Sequence, residues 1–333
     1  MRITASAPGR SGIVGNPTDM YGGSVISCST RERAECVIED SVDHIVIESG
    51  GQSQSIDTAA DLELRGDYLD LARVAMKELS VLDAGVRPFK LSTRTDIPMQ
   101  AGLAGSTAML TSIVGALLAL TDRRLSRYET AEIVRHIEYT RMGCVCGFQD
   151  AYMAVFGGLR YMDFRGKNSF DTYVDERPLA TIESLADDTP STLPFVLAHT
   201  GVKHHSGTVH GSPRERWRAG EAAFVDGYAE VATLAGLGKV ALLRRDWQAL
   251  AAAINRNHAI VRDLGGSGDA NEAMIAAALG SGAIGAKLAG AGGGGTILAL
   301  TLTPERTIAG LQAAGADAIL RPTASTGLTV VVE

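Results

Sequence analysis

The chain has 333 residues, 45% of them hydrophobic and 21% charged, which fits a globular protein with a core for one large or two modest domains. Its 31 basic and 38 acidic residues leave a net charge of −7, which argues against a broad nucleic-acid surface and leaves room only for a local basic cleft. The opening residues, MRITASAPGR, contain no apolar signal core, and no apolar run reaches membrane-spanning length, so a cytoplasmic protein with no membrane partner is expected, its oligomeric state open to a homodimer.

In chain order, MRITASAPGR and SVISCST read as two strands joined by the glycine-punctuated stretch GNPTDMYGG, with further strands at AECVIED and HIVIES. Asp67 to Leu82 has helical spacing, and Phe89 to Ile97 alternates like a strand. Ser106 to Leu120 reads as a buried helix. Ser126 to Tyr139 reads as an amphipathic one that opens on a Ser126/Glu129 capping box. GGLRYMDF is a strand, and the polar segment Glu183 to Pro194 is the expected boundary between domains 1–190 and 191–333. A strand FVLAHT, a histidine-rich loop, and helices near Pro213 to Leu234, Lys239 to His258 and Asn271 to Leu279 follow. A second glycine cluster, the strand TILALT, a helix near Pro304 to Ala314 and the strands AILRP and LTVVVE close the chain. Mixed strands and helices without strict alternation point to α+β. Cys28, Cys36, Cys144 and Cys146 show neither paired zinc spacing nor a disulfide framework, and read as free thiols in a reducing compartment.

Four segments carry candidate chemistry. PMQAGLAGSTA places Gly102 and Gly105 before a helix. Its first-turn N–H groups and dipole favour an anion, and the glycines leave room for a polyphosphate. The Ser106 and Thr107 hydroxyls either cap that helix or coordinate a magnesium ion; no Lys precedes them, so this is not a Walker A loop. Gly290 to Gly295 stands before a strand rather than a helix, which rules out a dinucleotide fingerprint and instead permits close approach of another segment or a ligand. Asp150, after a glycine-containing loop, is either a general base or an N-cap. Arg10, Asn16 and Asp19 are polar groups on a glycine-punctuated hairpin.

In this order the motifs resemble those of the GHMP kinases. PMQAGLAGSTA is similar to their phosphate loop, KLAGAGGGG to their third motif, and APGRSGIVGNPTD to their first motif in the galactokinase style. The resemblance covers nearly the whole chain and implies a two-domain α+β fold: an N-terminal domain of the ribosomal S5 domain 2 type and a ferredoxin-like C-terminal domain, with the active site between them. It implies ATP and Mg²⁺ as cofactors. Gly102, Leu103, Ala104, Gly105, Ser106 and Thr107 would wrap the ATP phosphates. Ser106 and Glu138, the acid about three helical turns before the catalytic Asp, would hold the metal. Asp150 would be the catalytic base and Arg10 the cation beside it. Asp19 would bind sugar hydroxyls, with Asn16, Gln149 and Gly292 as further substrate contacts. Phosphoryl transfer depends on positioning and charge neutralisation more than on covalent help, which suits this set.

Departures narrow the acceptor. Galactokinases have Glu-His where this chain has Asn16-Pro17, whereas GNPTD resembles the GNPSD of glucuronokinases. GLAGSTA and GTVHGSPRERW also resemble glucuronokinase stretches, and the Gln149-Asp150 pair is shared with heptose 7-phosphate 1-kinases. The expected reaction is phosphorylation of an anomeric hydroxyl, glucuronate first and a heptose phosphate second. A mevalonate-type kinase and a catalytically silent sugar or ATP sensor are the rivals. Lys203, His204, His205, Arg214 and Arg216 are candidates to face a uronate carboxylate, or else a solvated basic loop; the role of His204, His205 and His210 stays open.

Overall fold

The computed structural model describes residues 1–167, 179–202, 206–290 and 292–333, the stretch 206–211 by its backbone alone. In chain order the strands and helices are β1 (Arg2–Val14), β2 (Ser24–Asp40), β3 (Ile45–Ser49), β4 (Gln52–Ile56), α1 (Asp70–Glu78) and β5 (Phe89–Thr95). Next come α2 (Gly105–Leu120), α3 (Arg127–His136), α4 (Gln149–Phe156), β6 (Leu159–Asp163), β7 (Thr181–Ser184) and β8 (Phe195–His199). The remainder is α5 (Ser206–Arg218), α6 (Ala222–Arg244), α7 (Trp247–Asp263), α8 (Asp269–Gly280), β9 (Ala283–Leu288), β10 (Thr296–Thr301), α9 (Pro304–Ala313), β11 (Ala318–Leu320) and β12 (Thr329–Val332).

Two sheets organise these elements. The larger runs β12-β1-β2-β5-β3-β4, with β6 and then β7 continuing from β2. Its long β1–β2 pair is antiparallel, with register breaks between Pro8 and Arg10 and between Gly12 and Val14. The smaller sheet runs β11-β8-β10-β9 and is antiparallel throughout. Numbered within that sheet alone, the order is 4-1-3-2, that of a ferredoxin-like split β-α-β unit. Strand β12 returns to pair with β1 (Ile3 opposite Val332), so residues 329–332 lie with the first sheet, although in sequence they fall in the second region.

Helix α2 is apolar on every side, which is why it is buried rather than laid on a surface. Leu110, Ile113, Val114 and Leu117 pack with Ile3, Ile38 and Leu91 of the large sheet. Thr111 and Ser112 do not interrupt it, because their hydroxyls donate back to the Thr107 and Met109 carbonyls at 2.7 Å. A second core joins the sheets: Ile13, Val14 and Ile26 meet Leu197 and Leu298 together with Leu250 and Ile254 of α7. This shared core fixes β1 against the second sheet, and the cleft opens where the two meet.

Several boundaries differ from the sequence reading. SVISCST and AECVIED are one continuous strand, β2, and β4 and β9 were not anticipated. The expected helix across Lys239 to His258 breaks at Arg245, which takes a left-handed conformation with φ 56°, and Asp246 caps α7 by accepting from Ala249 N at 3.0 Å. Where a single helix was expected near Pro213 to Leu234, α5 and α6 form, and the histidine-rich stretch is helical from Ser206. No described helix is long and apolar enough to cross a membrane, and all four cysteines are free.

Candidate active site

The site begins at β1. Arg10 is buried, and its Nε and Nη2 donate to the two Asp150 carboxylate oxygens at 2.7 and 2.8 Å. Its Nη1 donates to Gly102 O at 2.6 Å and its backbone N–H to Leu103 O at 3.0 Å. One residue therefore clamps the glycine loop before α2 and the acid at the start of α4. Bidentate Arg–carboxylate geometry fixes both planes, which a Lys would not do.

The α2 entrance is built without a side-chain cap. Its N-cap is Ala104, left-handed at φ 60°, and no side chain caps the helix. Ser106 is therefore not the N-cap; it is the second helical residue and exposed. Leu103 and Ala104 turn their side chains into the protein, while Gly102, Gly105 and Ser106 reach the surface. Thr107 is buried, and its hydroxyl lies 2.8 and 3.0 Å from the two Glu138 oxygens. Glu138 sits in a single π-helical turn (Ile137–Arg141) that continues α3. The expected run of helical turns from Glu138 to Asp150 is therefore replaced by this turn and the loop 142–148. Burial, then the neighbouring Asp150 charge, push the Glu138 carboxyl up to about 7.

Beyond the Arg10–Asp150 pair a cleft opens, lined by Asn16, Asp19, Cys146 and Gln149 together with Arg10 and Asp150. Asp19 Oδ2 accepts from Phe148 N and Gln149 N at 2.8 and 2.9 Å, capping α4 from 129 residues away. That answers the capping alternative for Asp150: the cap is Asp19, and Asp150 is left to face Arg10. A Cβ added at Gly147 would fall 1.9 Å from Asp19 Oδ2, so the loop approaches this closely only as glycine. Burial raises the Asp19 carboxyl to about 6, against the two backbone hydrogen bonds that lower it. Gln149 is buried, and its Oε1 has no hydrogen-bond partner among the described residues. Asn16 Nδ2 donates to Gly290 O at 3.3 Å.

The second glycine segment closes the far wall. A methyl group at Gly290 would sit 2.4 Å from Gly102 O, so the two glycine-rich segments touch through their backbones. Asn271 clips the segment by donating to Gly294 O and accepting from Gly294 N at 3.0 and 2.7 Å. Gly292 lies against Gly266 O rather than in the cleft lining. Of the candidate uronate cations, Arg216 pairs with exposed Glu221 at 2.6 Å, and Arg214 donates to Tyr139 OH at 3.1 Å. Lys203, His204 and His205 lie outside the described residues, as does the His210 side chain.

Three features were missed from the sequence. Thr107 supports Glu138, Cys146 lines the cleft, and Lys287, within the very stretch KLAGAGGGG, is fully buried behind Asn16. Only Lys287 left a legible signal, a charge in an otherwise apolar strand.

The sequence matches the family model described as GHMP kinases N terminal domain over residues 69–158 and that described as GHMP kinases C terminal over residues 239–317. Probable glucuronokinase 2 of Arabidopsis thaliana is 30% identical over 303 residues, which span 85% of this chain and 81% of that protein. The D-glycero-alpha-D-manno-heptose 7-phosphate kinase of Campylobacter jejuni is 26% identical over 88% of this chain and 87% of its own. A crystal structure of mevalonate kinase superposes with a TM-score of 0.74 at 17% identity, covering 97% of this chain and 99% of that one.

Proposed function

This chain belongs to the GHMP kinase family of ATP-dependent phosphotransferases, and from that premise we propose that it phosphorylates the anomeric hydroxyl of a sugar acid, D-glucuronate first. The observation that carries the reading is the cleft beyond the Arg10–Asp150 pair. Asp19 and Gln149 line it, and Gln149 Oε1 is buried with no hydrogen-bond partner among the described residues. Buried acceptors left unpaired cost free energy unless a ligand supplies donors. A pyranose with vicinal hydroxyls supplies several, and mevalonate, with few hydroxyls, supplies fewer.

Each residue then has a role. The α2 entrance, with Gly102, Gly105 and the first-turn N–H groups, receives the ATP phosphates. Asp150 takes the proton of the attacking hydroxyl, and Arg10 holds that carboxylate in place while adding positive charge beside the transferring group. The donor side also fits a magnesium ion: Glu138 is a buried carboxylate near the Asp150 charge that accepts from the Thr107 hydroxyl, with the exposed Ser106 hydroxyl one residue along the helix. Ser106 and Glu138 would hold the ion, whose chemistry is to neutralise phosphate charge. Free thiols fit a reducing compartment, the cytoplasm.

A heptose 7-phosphate is the second reading, favoured by the similarity to the Campylobacter jejuni enzyme. ADP release measured with uronic acids, hexoses, heptose phosphates and mevalonate separates these acceptors. Phosphorus NMR of the product tests the position: coupling to the anomeric proton is expected, and coupling to a CH₂ group would refute the sugar 1-kinase reading.

A further inference from the structure

Lys287 has no role in the reaction as described, and its placement is costly. It is the penultimate residue of β9, with about 1% of its surface exposed, in a strand that is otherwise apolar. Among the described residues it has no carboxylate partner. Its Nζ donates to Asn16 Oδ1 at 2.7 Å and to the Leu288 carbonyl oxygen, both uncharged. A buried cation satisfied only by neutral oxygens is destabilising relative to an apolar residue of the same volume. Burial, with Arg10 adding to it, pulls the Lys287 ammonium down to about 7. Local rules broken at such a cost mark sites where function compensates.

What the lysine does is visible at Asn16. The two ends of a carboxamide differ chemically, one accepting and one donating. An ammonium has donors only, so the atom facing Lys287 must be oxygen; the other end faces Gly290 O, an acceptor, so it must be NH₂. The backbone is fixed as well. Asn257 accepts from Gly15 N at 2.9 Å and donates to Asn16 O at 3.2 Å. A Cβ at Gly12 would lie 2.5 Å from Asn16 Oδ1, so the side chain is confined from that direction too. The Gly290 bond uses one of the two amide hydrogens, and Asn16 lines the cleft.

We propose that Lys287 is a positioning residue of the acceptor site: it locks the Asn16 carboxamide with its oxygen inward and its NH₂ group outward, so the cleft meets the acceptor at this point with a hydrogen-bond donor. The group recognised there is an oxygen with a free lone pair, a pyranose ring oxygen or a carboxylate, and not a hydroxyl hydrogen. In its ammonium form Lys287 also polarises the amide and strengthens its N–H as a donor. Asn16 thus complements Asp19 and Gln149, whose oxygen-bearing side chains line the same cleft.

The inference rests on the sugar-kinase reading, and the test separates the two. Wild type and K287M are compared for acceptor KM and ATP KM with D-glucuronate, or with heptose 7-phosphate if wild type prefers it. Binding of the same acceptor without ATP is measured by calorimetry. K287M is expected to raise acceptor KM and Kd about tenfold, as for a lost charge-assisted hydrogen bond, while ATP KM moves less than about threefold; K287R, which keeps donors, recovers most of the loss. An unchanged acceptor Kd in folded K287M, or equal weakening toward both substrates, overturns the proposal. Should K287M not fold, N16D decides. It keeps an oxygen for Lys287 and forms an ion pair with it, but replaces the donor by an acceptor. The acceptor Kd is then expected to rise about tenfold, and wild-type acceptor binding by folded N16D overturns the proposal. A wild-type protein that releases ADP with no member of the sugar panel refutes the sugar-kinase reading instead.

Discussion

In the proposed reading, the donor and acceptor sides of the site are built on opposite principles. The donor side, around Gly102 to Thr107, is mostly backbone: a helix start without a side-chain cap, two surface glycines and one supported carboxylate, Glu138. The proposed acceptor side is mostly side chain: Asn16, Asp19 and Gln149 are buried, with Asn16 held by Lys287 and Asp19 by the backbone N–H groups of Phe148 and Gln149. A polyphosphate is common to every ATP-dependent kinase and is recognised by main-chain N–H groups, which any sequence can supply provided glycine leaves space. A sugar is recognised by the direction of its hydroxyls, which only specific side chains in fixed rotamers can match. The Arg10–Asp150 pair joins the sides, and so does the Gly102–Gly290 contact.

That contrast is tested most strongly at its centre. Asp150→Asn is expected to cut kcat roughly 10²–10⁴-fold, the range for a positioned base, with ATP affinity nearly intact by fluorescence titration. Near-normal turnover in a folded variant would show that Asp150 only anchors Arg10. Asp19→Asn is expected to lower kcat/KM for the acceptor roughly ten- to hundredfold without changing ATP KM. The Asn oxygen still accepts from Phe148 and Gln149, so α4 stays capped, and a parallel rise in ATP KM would erase the division between the sides.

On the donor side, Ser106→Ala is expected to raise the magnesium concentration for half-maximal rate about tenfold, comparable with loss of a group that supports a metal. Because Ser106 does not cap α2, Tm should be unchanged; a drop in Tm with unaltered magnesium response would return Ser106 to a structural role. The glycines sharpen the comparison further. Gly290→Ala drives a methyl group into Gly102 O and is expected to cost about 1–3 kcal/mol of stability in denaturant titrations. At Gly105 the added Cβ would meet Ile97 at an ordinary 3.4 Å. Gly105→Ala should therefore leave stability unchanged or improve it by less than about 1 kcal/mol while weakening ATP binding. Equal destabilisation by both would mean that Gly105 serves packing rather than phosphate access.

A further expected effect is a slope in pH. Folding raises the Asp19 carboxyl from 3.8 to about 6. Between those values the unfolded chain has released a proton that the folded chain retains, so this group's contribution to stability is full below 3.8 and falls as pH rises to about 6. Urea midpoints of wild type and Asp19→Asn, compared over that window, should diverge in this direction; parallel curves would show that Asp19 titrates normally.

Much of the donor side was legible because its signals are local. Gly-x-x-Gly-Ser-Thr before an apolar run announces a helix with an open entrance, and the Ser126/Glu129 capping box forms as read, with bonds of 2.7 and 3.2 Å. The acceptor side was legible only as a set of residue names. The roles of Asp19 as a cap for α4 and of Lys287 as the lock on Asn16 span 129 and 271 residues, and no periodicity carries information over such distances. The histidine-rich stretch misled because polar composition resembles a loop, whereas the backbone there turns helical from Ser206.

The sequence by itself determined which segments bend, which bury and where backbone N–H groups are left for an anion, since these follow from glycine, apolar spacing and capping within a few residues. Tertiary structure decided which charge faces which. The shared core of Ile13, Val14, Leu197 and Leu298 sets β1 against the second sheet. Only that packing brings Lys287 behind Asn16 and Gly290 onto Gly102, because hydrogen bonds act over about 3 Å and the residues that make them are neighbours in space alone.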